Sequence, residues 1–382
     1  MIHQVAVIGC GKRIHALAKH LQWDQLPIRF AAIYDIDRAK AEKFRADRAP
    51  DARLCATPDE IRHDPAIDWV MVMTPNSTHA EIAVTALRAG KNVFSEKPMA
   101  VTFDQCLDIL AARRESGKKY MIGFTLRYSP HYRKIREIVA SGLIGRPVSM
   151  EFNENVLPEH GGHISSCWRR NRATTGFHLL EKCSHDIDIA NFILGSIPVK
   201  VASFGGLSVF RPENAALLDK YRDADGGSVF CRWPSAKGRN PFTTDKDIVD
   251  HQVCILEYRN EVQATFHTNI NAPINERRMY ICGTEGTLRS DAIGGAIEVK
   301  TIDRKTYDFA AGSADDHAGG DQVLADTLTE FILGNSDTAT PIEHGLTSSV
   351  SCFAIDRAMR ENRVVELEDY WKKLAEAGGI TV

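Results

Sequence analysis

The sequence predicts an α/β protein in two parts: an N-terminal doubly wound parallel sheet, then an α+β domain with a mostly antiparallel open sheet. Three observations lead there. Short, continuously apolar runs alternate with amphipathic stretches from residue 4 to about 124, as strands buried on both faces and joined by helices require. Beyond residue 125 the texture changes to long helices and to strands in which polar and apolar residues alternate. The chain has 382 residues, more than the roughly 250 to 300 that one core organises, and it divides into a domain of residues 1–124 and one of residues 125–382.

The apolar runs are VAVIG (5–9), FAAIYD (30–35), WVMVMT (69–74), NVFSE (92–96) and YMIGF (120–124). STHAEIAVTALRAG shows the helical connection between two of them, with Ser77 or Thr78 to cap its start and Gly90 to stop it. In the second part, residues 130–141 read as helix, 159–168 as a loop rich in glycine and histidine, and 178–194 as a strong helix. Strands follow near 199–210, 252–258, 262–270, 278–283 and 286–289. Within CGTEGTL, Gly283 and Gly286 supply the backbone freedom of a hairpin turn. Helices return at 318–332 and 342–360, and 211–250 reads as a polar, irregular insertion.

Composition narrows the function. Forty-seven basic and 50 acidic residues leave a net charge of −3, so electrostatics offer no reason to expect a nucleic acid or an anionic membrane as partner. The nine cysteines are scattered without a C-x-x-C pair, the pattern of reduced thiols in a cytoplasmic protein. MIHQVAVIGCG enters a strand at once, so no secretion signal is expected. No apolar run approaches the roughly 18 residues of a membrane span.

The first strand ends in Gly9, Cys10 and Gly11 and leads into a helix, the turn through which backbone N–H groups meet a pyrophosphate. Lys12 and Arg13 follow, with Ile14 where a third glycine is usual, and all three are expected beside the cofactor. Asp35 closes the second strand, close to the offset expected of an acid that holds the ribose hydroxyls. Such a carboxylate repels a 2′-phosphate and favours NAD over NADP, whereas Arg38 is placed to pair with one. MTPNSTHAEIA puts Thr74, Pro75, Asn76 and His79 at the sheet's carboxyl edge, where ligands bind in doubly wound folds. His79 either touches the cofactor or caps its own helix.

FSEKPMA then places Glu96, Lys97 and Pro98 at the end of a buried strand, with Glu96 and Lys97 expected beside the cofactor. The proline stops the strand and aims Lys97 outward. Further on, Glu181, His185 and Asp188 recur on one face of the predicted helix 178–194. An acidic neighbour one turn away sets the tautomer and basicity of a histidine. His160, His163 and Cys167 have spacings open to zinc, but without a compact four-ligand pattern no metal is expected.

Strand-G-x-G-helix, TPNxxH, EKP and HDxD, in this order, resemble the Gfo/Idh/MocA family (glucose-fructose oxidoreductase, inositol dehydrogenase, MocA). The resemblance runs from residue 4 to about 195 and resumes weakly at YICGTEGTL and HAGGD. It implies a Rossmann domain, a second domain whose open sheet builds homo-oligomers, and NAD(P)-dependent oxidation or reduction of a sugar or polyol substrate. It maps the family lysine onto Lys97, ahead of Pro98, and the family histidine onto His185. Glu181 stands where an aspartate is usual, and Lys182 beside it reaches toward the same pocket, which leaves the partner of His185 open.

On this reading His185 exchanges the hydroxyl proton and Lys97 polarises the substrate oxygen, with Glu181 supporting. Trp168 and Arg169 match a common WR pair that frames the nicotinamide or a ring hydroxyl. Arg127, Tyr128, His163, Lys182, Asp188 and His317 complete the expected substrate surroundings. Two other readings share the fold. One is a glycosidase-like enzyme that uses NAD transiently, and the other a non-catalytic sensor of the dinucleotide, which would have no need of Lys97 or His185.

Overall fold

Six parallel strands form the first sheet: β1 (His3–Ile8), β2 (Ile28–Tyr34), β3 (Arg53–Leu54), β4 (Trp69–Val72), β5 (Asn92–Glu96) and β6 (Tyr120–Gly123). Their spatial order is β3-β2-β1-β4-β5-β6, a doubly wound arrangement. The computed structural model describes residues 2–311, 317–336 and 341–380. Every residue of β4 and β6 is buried, which is why these segments read as unbroken apolar runs. The connections carry α1 (Lys12–Ala18), α2 (Arg38–Arg48), α3 (Pro58–Arg62), α4 (His79–Arg88) and α5 (Phe103–Ser116). The last is capped by Thr102, whose side chain accepts the Gln105 N–H, and is ended by Gly117 in the left-handed region at φ 65°.

The second unit holds a nine-stranded sheet of β7 (Pro147–Asn155), β8 (Pro198–Gly206), β9 (His251–Tyr258), β10 (Gln263–Asn269), β11 (Arg278–Gly283), β12 (Gly286–Asp291), β13 (Ala296–Thr301), β14 (Thr306–Ala310) and β15 (Val365–Glu366). The order is β14-β13-β12-β11-β7-β10-β9-β8-β15. Only the β7–β10 pair is parallel, so the sheet is mixed and mostly antiparallel. Burial alternates along β9 and β10: one face is covered and the other is open. Its helices are α6 (Pro130–Ala140), α7 (Pro158–Ser166), α8 (Arg172–Thr175), α9 (His178–Leu194) and α10 (Leu217–Lys220). α9 is buried over almost its whole length and stops at Gly195, φ 57°. β13, β14 and β15 were not anticipated; they are short and lie at or near the sheet's edges, where little apolar patterning is needed.

The chain does not divide once at 124/125. The first compact unit comprises Met1–Ser129, Gly319–Ser349 and Trp371–Val382, and the second Pro130–Ala318 and Val350–Tyr370. The returning α11 (Gly320–Leu333) supplies Leu324, Ala325 and Leu328 to the core that holds Val5, Val7, Trp69, Phe94 and Met121. α12 (Ile342–Glu361) contributes residues 342–349 to the first unit and 350–361 to the second. α13 (Glu368–Glu376), unanticipated from the sequence, buries Trp371 and Leu374.

Two more segments correct the sequence reading. Residues 158–166 are a helix, not a loop. A Cβ on Gly161 would lie 1.9 Å from the Ile270 carbonyl oxygen, and one on Gly162 would lie 1.9 Å from that of Phe230. Those glycines admit neighbouring backbone rather than loosen the chain. The insertion is ordered around Phe210, Phe230 and Phe242, stacked or edge-on at 5.0–5.9 Å. The Asp250 carboxylate accepts the backbone N–H groups of Ser208, Val209 and Phe210 and so fixes the insertion's entry.

Candidate active site

In the first unit the site begins where β1 turns into α1. Gly9 has φ 98°, and a Cβ there would meet the Met73 carbonyl carbon and oxygen at 2.6 Å, so only glycine lets β1 pass the exit of β4. A Cβ on Gly11 would meet nothing within 4 Å. That open space is what a pyrophosphate needs to approach the backbone. Ile14 is fully buried in the core, so it replaces the customary glycine as packing and has no side-chain contact to offer a ligand. Lys12 is exposed.

Asp35 receives the Cys10 N–H at 2.6 Å through one carboxylate oxygen and the Asp37 N–H at 2.8 Å through the other. These bonds hold its carboxylate at the end of β2 with lone pairs remaining for ribose hydroxyls. Arg38, expected near a 2′-phosphate, reaches along α2 to Glu42 at 3.2 Å and is 55% exposed. The turn and the acid therefore fit a dinucleotide without a 2′-phosphate.

After β4, Thr74, Pro75 and Asn76 lead into α4, and the Thr78 hydroxyl donates to that of Thr74 at 2.8 Å. His79 does not cap its helix. It is 1% exposed, and its ring nitrogens lie 2.8 Å from the Pro98 carbonyl oxygen and 2.9 Å from that of Thr74. Burial lowers its pKa, and a neutral ring donates to only one carbonyl at a time. His79 thus ties the chain leaving β4 to the chain leaving β5. Lys97 stands at the latter exit, followed by a cis peptide bond to Pro98.

Arg13 and Glu96, both expected at the cofactor, pair with each other: Arg13 Nε lies 2.6 Å from Glu96 Oε1. The same guanidinium reaches Asp321 at 2.6 Å and the Thr125 hydroxyl at 2.9 Å. Glu96 Oε2 also accepts the Lys97 backbone N–H at 3.3 Å. Tyr128, expected at the substrate, is 2% exposed and belongs to the first unit's core, and Arg127 beside it is also buried.

In the second unit, α9 presents Glu181, His185 and Asp188, all buried. Glu181 accepts from Arg169 Nε at 2.7 Å, and that guanidinium also lies 4.3 Å over the Trp168 ring. Arg169 is thereby attached to Glu181, the acid expected beside His185. His317 is brought beside His185, with ring centroids 5.9 Å apart. Lys182 is paired with Glu154 of β7 at 2.8 Å. His163 contacts the Ser235 hydroxyl and, with His160, packs on Trp233 at centroid distances of 4.5 and 4.7 Å. Cys167 Sγ lies 3.9 Å from His163 Nε2.

Sequence reasoning missed the buried network behind α9. Arg277 binds both oxygens of Asp186, at 2.7 and 2.9 Å, and also Glu154 at 3.0 Å. Burial pushes the Asp186 carboxyl up to about 7 despite Arg277. Burial opposes ionisation of Glu154 too, but Arg277 and Lys182 hold it well below the usual carboxylate range. Glu154, Cys183 and Asp186 offer ligand atoms within 4.8 Å of one another. Two protein cations already balance those carboxylates, so the cluster is read as an ion-pair network rather than a metal centre. Asp186 was visible within HDxD, but nothing local marks Glu154 or Arg277 as its partners.

Both parts of the chain match known proteins. Residues 3–124 match the family model described as an oxidoreductase family with an NAD-binding Rossmann fold, and residues 132–289 match the GFO/IDH/MocA C-terminal domain. The chain is 26% identical over 237 residues to a scyllo-inositol 2-dehydrogenase (NAD+) of Bacillus subtilis (strain 168), covering 62% of this chain and 66% of that one. It is 25% identical over 312 residues to a 1,5-anhydro-D-fructose reductase of Ensifer adhaerens, covering 81% and 83%. Among solved structures, a levoglucosan dehydrogenase in complex with NADH and levoglucosan superposes with a TM-score of 0.76 at 20% identity, over 96% of this chain and 99% of that one. At that identity the last likeness is one of fold.

Proposed function

The chain belongs to the Gfo/Idh/MocA family of oxidoreductases, and from that premise we propose that it moves hydride between NAD(H) and a hydroxyl-bearing carbon of a sugar, cyclic polyol or sugar derivative. The family and the relatives make it an NAD(P)-dependent sugar or polyol dehydrogenase or reductase. The finer assignment is supported by the relatives that act on inositol and on 1,5-anhydro-D-fructose, and by the levoglucosan complex. NAD is preferred over NADP because the Cys10 and Asp37 N–H groups hold the Asp35 side chain at the end of β2, facing the place of a ribose, and Arg38 pairs along α2 with Glu42.

The bound nicotinamide supplies or accepts the hydride. Around it, the Gly9–Gly11 turn receives the pyrophosphate, and Asp35 accepts the ribose hydroxyls. His185 takes the hydroxyl proton in oxidation and returns it in reduction. Lys97 donates to the substrate oxygen and stabilises its developing charge. Glu181, steadied by Arg169, keeps the α9 face ordered around His185. Trp168, His163, Lys182, Asp188 and His317 form the proposed substrate surroundings in the second unit.

The observation that carries this reading is the position of Lys97 at the carboxyl end of β5, next to β4, whose other neighbour β1 ends in the glycine turn. Lys97→Met is expected to lower turnover on a ring polyol or aldose by at least about a hundredfold while leaving NADH affinity nearly intact. Stopped-flow absorbance at the nicotinamide band and a fluorescence titration read the two quantities. Unchanged turnover would remove Lys97 from the chemistry.

A further inference from the structure

Arg13 occupies an unexpected place. It lies two residues beyond Gly11, where a cation would ordinarily serve the pyrophosphate, yet its guanidinium is committed to protein groups on three separate segments. Glu96 at the end of β5 takes Nε, Asp321 in the first turn of α11 takes one terminal nitrogen, and Thr125 after β6 takes the other. Two carboxylates on one guanidinium leave the cluster with a net negative charge, which is the wrong sign for recruiting a phosphate.

The cluster is also confined sterically. A Cβ on Gly123 would lie 3.1 Å from Glu96 Oε1, and one on Gly320 would lie 2.6 Å from the Thr125 carbonyl oxygen. Glycine at these two positions lets the Glu96 carboxylate and the start of α11 settle against β6 and the segment after it. Held in this way by Arg13 through one oxygen, Glu96 turns the other to the backbone N–H of Lys97. A continuous line of hydrogen bonds thus runs from the dinucleotide turn to the main chain of the lysine.

We propose that Arg13 is a positioning residue rather than a cofactor ligand: through Glu96 it sets the backbone from which Lys97 reaches the substrate oxygen. Asp321 and Thr125 fix the guanidinium in the orientation that does so. Lysine at position 13 would carry the charge but not the planar fork needed to meet three partners at once. This inference rests on the reading of Lys97 given above.

The test is steady-state and pH-dependent kinetics of the 382-residue chain with NAD and a ring polyol it oxidises, comparing wild type with Arg13→Ala, Arg13→Lys and Asp321→Asn. Arg13→Ala is expected to lower kcat by roughly tenfold to a hundredfold, displace the limb of the kcat–pH profile that depends on Lys97, and leave the NADH dissociation constant within about threefold. Millimolar methylguanidinium is expected to restore part of kcat in Arg13→Ala. Arg13→Lys should recover less than half of the lost rate. Asp321→Asn, which leaves Arg13 and Glu96 themselves unaltered, should shift the profile in the same direction by a smaller amount.

A rise of tenfold or more in the NADH dissociation constant with an unmoved pH profile would overturn the inference and return Arg13 to the cofactor. An Arg13→Ala protein with wild-type kcat and profile would also overturn it, while leaving the role of Lys97 intact. Should Lys97→Met itself leave turnover unchanged, both the reading and this inference fall. Thermal melts separate a folding defect from these outcomes, and if Arg13→Ala does not fold, the Asp321→Asn profile decides alone.

Discussion

At the scale of single residues, the two glycines of the dinucleotide turn do different work. Gly9 is required by the fold, because its left-handed backbone and the Met73 carbonyl at 2.6 Å leave no room for a methyl group. Gly9→Ala should cost about 3 kcal/mol or more of stability. Gly11 faces open space at an ordinary φ of −77°. Gly11→Ala should change stability by less than about 1 kcal/mol and instead weaken NADH binding by about tenfold, since the methyl group enters the space left for the pyrophosphate. Thermal melts paired with NADH fluorescence titrations check both, and a Gly11→Ala protein with unchanged NADH affinity would take the pyrophosphate away from this turn. The G-x-G pattern was visible in the sequence, but this division of labour was not. It depends on how close Met73, far along the chain, comes to one glycine and not the other.

At the scale of elements, helices were legible wherever their periodicity served burial alone. α9 matches the expected 178–194, because an apolar stripe and a terminal Gly195 suffice to define it. α7 was hidden because its glycines answer to neighbouring backbone, not to its own helical propensity. α11 was anticipated as a helix but assigned to the wrong unit. Its Leu324, Leu328 and Ile332 are buried against the first sheet's core, and at roughly 1.5–3 kcal/mol each they contribute an amount comparable to the roughly 5–15 kcal/mol stability of a whole domain. A fragment ending at Ser129 should therefore lack a cooperative thermal transition by circular dichroism. Cooperative melting of that fragment would show that α11 is dispensable to the first core.

At the scale of the whole molecule, the open face of the second sheet remains to be accounted for. Phe204 of β8 lies directly opposite Val253 of β9, with Ile255 two residues along, and the three are 63%, 49% and 57% exposed. A contiguous apolar patch on a sheet face is the usual mark of an association surface, and it is the face on which the homo-oligomer expected from the family resemblance would form. Light scattering at micromolar concentration should give an oligomer for the wild type and a smaller species for a Phe204→Glu, Ile255→Glu double variant. A monomeric wild type would end that assignment. Among the described residues, no helix is long and apolar enough to cross a membrane.

The sequence by itself determined the doubly wound sheet, the glycine turn with Asp35, the placement of Lys97 at a strand end and of His185 on a long helix. Each of these is written in neighbouring residues whose spacing follows a strand, a turn or a helix. Only the tertiary structure decided that the chain returns to the first unit at Gly319, that Arg13 holds Glu96 and Asp321, and that Glu154, Asp186 and Arg277 form one network. The physical reason is separation along the chain. Arg13 meets Glu96 across 83 positions and Asp321 across 308, and a charge that far away leaves no periodic trace beside the residue it neutralises.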